Sequence, residues 1–301
     1  MLSLDIFGFE ALWSPYFLGT LILLTAAFFL LTTKYRFLFE GNEPLTTQQG
    51  IVFILSMAIL YVIKGSPLDL MANLMFYVHM IQMAVLVLVV PPLFIMSVPA
   101  WLWRKILCLP VIRFLFKLFT KPLIALIVFN VIFSFYHVPM IFDQVMQNIW
   151  LHGGYSILLF VSAVFMWWPL MNQLSDYQTL NGLKKLAYIF GAGILLTPAC
   201  ALIIFSDTPL YAVYSDPHVW GKMMSLCVGT QNFNNLHLSG PELFSSMSVL
   251  HDQQLGGVLM KVIQELIFGI MLGRVFFDWY KKDQAESERE MKQPLNPSLI
   301  K

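Results

Sequence analysis

Apolar residues fill seven long runs of this chain, and polar residues gather between them. The runs are residues 15–33, 48–63, 70–96, 122–137, 149–169, 185–205 and 254–280. A helix needs about 20 apolar residues to cross a bilayer, and the second and fourth runs are the shortest. None shows the strict alternation of a half-buried strand. The pattern predicts an all-α, polytopic membrane helical bundle with about seven transmembrane helices, occupying residues 1–280 as one domain. "WLWRKILCLPVIRFLFKLFTK" separates the third run from the fourth and is interrupted by Pro110. Its basic, amphipathic character predicts a segment lying on the membrane surface near residues 100–121, with a short eighth span as the alternative. A loop of about 48 residues, near 206–253, precedes the last run. Structureless loops of this length are uncommon in a compact domain, so it is expected to fold back over the bundle. Residues 281–301 are charged and polar and read as a flexible tail.

Composition agrees with this picture. Only 12% of the residues are charged and mean hydropathy is +0.72, whereas soluble domains carry about 25% charged residues. A soluble globule is excluded. The net charge of +1 implies no bulk attraction to nucleic acid, and three cysteines without CxxC spacing imply no disulfide framework. No positive n-region of a signal peptide precedes the first run, whose first basic neighbour is Lys34. That run is expected to remain in the mature protein with the N-terminus outside. Alternate loops hold 15 of the 18 basic residues. The positive-inside rule then places the C-terminus in the cytoplasm and the 206–253 loop outside.

Charge orientation gives the histidines a meaning. His79, His137, His152, His218, His237 and His251 all fall toward the outer side, with His79 roughly 12 Å inside the third run. Met71, Met75, His79 and Met83 recur every four residues, which predicts one stripe on a helix face, and Met80 adjoins it. Thioethers select Cu(I), and imidazole suits copper in either state. The stripe, with His137, His152 and His251, is a candidate copper site whose oxidation state is open. Methionine is also an ordinary gap-filler, and an intramembrane histidine can serve only to hydrogen-bond a neighbouring helix. Lys261 and Glu265, four apart inside the last run, are expected to form an ion pair, with a redox or proton role as the alternative.

"HMIQMAVLVLVVPPLFIMSVP" and "HDQQLGG" resemble the HMxQ…PL…P and DQ-x-x-GG segments of the CtaG-type assembly factors of bacterial caa-type cytochrome c oxidase, in the form found in Bacillus and its relatives. The resemblance covers nearly the whole chain. It implies a non-enzymatic role in forming the oxidase copper centre, with oxidase subunits and the lipid bilayer as partners; a homo-oligomer is compatible with it. It points to His79, Met80 and Gln82 in the third run, and to Asp252, Gln253, Gly256 and Gly257 in the seventh. Relatives carry a second histidine four residues after the first, where this chain has Met83. A copper transporter, a membrane haem protein and a zinc-dependent membrane hydrolase are the competing readings.

Overall fold

The computed structural model describes residues 3–39, 43–228, 238 and 240–292. Described secondary structure is helical, without a strand. In chain order the main helices are α1 (Pro15–Phe29), α2 (Thr47–Gly65), α3 (Pro67–Leu74), α4 (Phe76–Ala84), α5 (Val90–Ser97), α6 (Ala100–Leu107), α7 (Pro110–Phe119) and α8 (Pro122–Tyr136). They continue with α9 (Pro139–Met146), α10 (Ile149–Met171), α11 (Gly182–Ile204), α12 (Ala212–Ser215), α13 (Pro217–Val228) and α14 (Val249–Lys292). Among the described residues, six spans are long and apolar enough to cross a membrane, and α8 taken with α7 raises the number to seven. The protein is therefore an all-α polytopic bundle. The axes of α7 and α8 differ by 86°, so α7 runs across the end of the bundle while α8 runs along it.

The central element is the third run, which is not one continuous helix. Met75 adopts extended backbone angles (φ −133°, ψ 124°) between α3 and α4. Further on, Val85–Val89 forms a π-helical segment ahead of Pro91 and Pro92. Proline has no N–H, so Pro91 leaves the Val87 carbonyl without its helical donor. The Trp167 indole N–H from α10 fills that vacancy at 2.9 Å. The α4 strip is enclosed by α14, which also packs along α11.

The 206–253 loop does fold back over the bundle through its described part. Trp220, Met223 and Met224 of α13 are fully buried. Asp143 of α9 accepts the backbone N–H groups of Ala212 and Val213, each at 3.1 Å, which caps α12. Burial raises the Asp143 carboxyl above its usual range, against the lowering effect of those two bonds. His237 lies outside the described residues. The last helix continues through the polar end to Lys292 instead of giving way to a flexible tail at residue 281. That segment holds three Lys and three Glu with Gln284, Ala285, Arg289 and Met291, all strong helix formers.

Candidate functional site

Asp252 explains why α4 can begin in the middle of an apolar run. The break at Met75 frees the N–H groups of Phe76 and Tyr77. The Asp252 carboxylate, reaching across from α14, accepts both, at 2.8 and 3.1 Å. The same break frees the Ala72 carbonyl, the helical partner Phe76 would otherwise have used. The Tyr214 hydroxyl donates to it at 2.7 Å. In a membrane-buried segment each unmet backbone group costs several kcal/mol, so these two side chains make the break tenable. The remainder of the DQ-x-x-GG segment serves the same junction. Gln253 accepts the Leu210 N–H at 2.7 Å and ties down the loop. A Cβ on Gly256 would stand 2.7 Å from Phe76, and one on Gly257 would stand 2.7 Å from Ile204. Both glycines are therefore points of close helix approach.

The break also changes the methionine stripe. His79 and Met83 share a face of α4, but Met71 sits on α3, across an extended residue, so the four positions do not form one helix face. Met75 is buried at the break itself, Met71 is half-buried, and Met80 and Met83 are fully buried. Met80 packs toward Gly256.

What the fold does bring together is a pair of histidines, His79 and His137, with His152 on a third segment. His79 is on α4, His137 caps the end of α8, and His152 is in the first turn of α10. The His79 and His137 ring centroids are 6.4 Å apart, and His152 lines a cavity with Lys64 and Asp69. In all three, Nε2 is buried without a hydrogen-bond partner. His137 Nδ1 lies 2.8 Å from the Phe133 carbonyl. An Nδ1–H donated there leaves the Nε2 lone pair free. Phe76, Tyr136 and Phe142 surround His79, with ring centroids 5.1–6.1 Å from it. Tyr211 of the loop closes over them, stacking on Phe76 and donating its hydroxyl to the His137 carbonyl at 3.0 Å. Sequence reasoning missed Tyr136, Phe142, Tyr211 and Tyr214. Only Tyr136 carried a signal, its place next to His137.

Two openings reach the cluster. A groove of about 1240 Å³ between α8 and α11 is lined by His137, Asn130, Ser134 and Tyr211. A cavity of about 420 Å³ is lined by His152, Lys64, Asp69 and Ser156. Gln82 belongs to the polar group behind that cavity. It donates to Asp69 at 2.7 Å and accepts from Lys64 at 3.2 Å, while Lys64 and Asp69 pair at 3.2 Å. His251 and His218 are exposed; beside His251, Asp252 turns inward. Lys261 pairs with Glu265 at 2.6 Å and donates to Thr197 of α11 at 2.7 Å, about two and a half turns along α14 from Asp252. Among the described residues, no three His, Cys, Asp or Glu side chains are placed to hold a metal ion together.

These features define a multi-pass helical membrane protein with a buried, partly open histidine cluster near one end of its bundle. The chain belongs to the cytochrome c oxidase caa3 assembly factor family, whose model matches residues 16–282 of its 301. No curated protein and no solved structure gives a significant match.

Proposed function

We propose that the protein carries copper as cargo for a caa-type cytochrome c oxidase, holding it at the His79–His137 pair, with His152 drawn in as a third ligand on loading, and passing it to an oxidase subunit within the bacterial cell membrane. The observation that carries this reading is the three buried Nε2 atoms that lack partners. Leaving a buried polar atom unsatisfied costs about 1–3 kcal/mol, and two of the three rings, His79 and His137, lie with centroids 6.4 Å apart. Neutral imidazole is a common metal ligand. The bond to the Phe133 carbonyl favours the His137 tautomer that a metal needs. Two or three imidazoles without a carboxylate suit a soft, low-coordinate ion better than a closed four-ligand zinc site. Met83 lies on the His79 face of α4, and a thioether there shifts preference further toward Cu(I).

The residues deeper in the third run favour delivery over transport. Met83, Leu86, Val87 and Leu88 are all buried at 3% exposure or less, an apolar run beyond His79 on its own segment. Oxidase copper content in membranes of a strain carrying H79A/H137A tests the reading. The expected result is an oxidase whose polypeptides are present but copper-depleted, with partial recovery under added copper. Unchanged oxidase copper in that strain contradicts it.

A further inference from the structure

The basic segment builds a recess that the histidine cluster does not use. Arg104, Arg113, Lys117 and Lys121 line a cavity of about 460 Å³ together with Thr120 and Tyr177. A second cavity, also about 460 Å³, shares Arg113, Lys117 and Lys121 and is walled by Phe114 and Leu118. Arg104 is paired with Asp176 at 2.6 Å. Among the described residues, no carboxylate pairs with Arg113, Lys117 or Lys121. Arg113 and Lys117 are four apart on one helix, an arrangement of like charges that is unfavourable by itself.

The geometry of α7 says what fits there. Its axis is turned 86° from α8, so it lies in the membrane plane when α8 crosses. It exposes Val111 and Phe114, at 70% and 69%, directly beside the three cations. An apolar face next to unpaired positive charge at membrane level matches a ligand with an acidic head and apolar chains. We infer that this recess is a headgroup site for an anionic glycerophospholipid. Arg113, Lys117 and Lys121 hold the phosphate, and the acyl chains run along Phe114 and Leu118.

Native mass spectrometry of the full chain, released from micelles doped with phosphatidylglycerol or phosphatidylcholine, tests this. The wild-type protein should retain phosphatidylglycerol about tenfold better than phosphatidylcholine, because only the former offers net negative charge. R113Q/K117Q/K121Q should lose that preference. K105Q, whose side chain lies outside both cavities, should keep it, and so should K117R. Four results overturn the inference: preference retained by the triple variant, preference lost equally in K105Q, equal retention of both lipids by the wild type, or displacement of the lipid by millimolar inorganic phosphate. The variant positions are on the surface, and an unchanged melting temperature confirms that the triple variant folds.

Discussion

Gly256 and Gly273 lie on the same helix, yet the structure gives them opposite sensitivities. A methyl group on Gly256 meets Phe76 at 2.7 Å and Met80 at 3.0 Å, whereas one on Gly273 meets nothing within 4 Å. G256A should therefore destabilise the protein by about 1–3 kcal/mol through overpacking. G273A should be neutral or stabilise it by up to about 1 kcal/mol through helix propensity. Thermal unfolding of the two variants in the same detergent measures the difference, and equal melting temperatures would refute the close-approach account. Asp252 is a second residue-scale case. The sequence marked it as functional through resemblance, but its two backbone bonds give it a structural task. D252A should raise amide hydrogen exchange at residues 76–78 selectively and cost roughly 1–2 kcal/mol, the usual range for a lost helix cap. Exchange rising evenly along α4 would argue against a capping role. Gln82 was legible only as a motif residue. Its bonds to Lys64 and Asp69 depend on side chains 18 and 13 positions away, which no local pattern encodes.

At the scale of elements, the apolar runs located the helices well because burial in lipid requires length and hydropathy, both of which are written locally. The break at Met75 was not legible. No proline or glycine marks it, and it persists because Asp252 and Tyr214, distant in sequence, satisfy its freed backbone groups. Reading Met71 to Met83 as one stripe rested on an unbroken 3.6-residue period. The Lys261–Glu265 pair was legible for the opposite reason, since both partners stand on one helix at a fixed spacing. Tyr214 provides the test for this level. Y214F removes only the hydroxyl, so it should lower stability by about 1 kcal/mol and increase protease sensitivity of the 206–228 segment. An unchanged digestion pattern would show that the loop is held by its apolar contacts alone.

At the scale of the molecule, the bundle brings His79 and His137 together across 58 positions of sequence. Their convergence is a property of tertiary packing, which is why the sequence offered His79, His137, His152 and His251 as candidates without showing which of them meet. From the asymmetry of basic residues we propose that this end of the bundle faces outside the cell. In a background lacking Cys108, Cys200 and Cys227, a membrane-impermeant maleimide should label K222C in intact cells and K105C only after permeabilisation. The reverse pattern would put the histidine cluster on the cytoplasmic side. The central claim is that the clustered imidazoles hold copper, and its most direct test is anaerobic Cu(I) titration of the purified protein in lipid nanodiscs, with copper X-ray absorption of the loaded chain. The account predicts one copper ion per chain with a nitrogen-dominated, low-coordinate shell, abolished in H79A/H137A and retained in H251A. Copper bound at the same stoichiometry by H79A/H137A, or no copper retained by the wild-type chain, would contradict it.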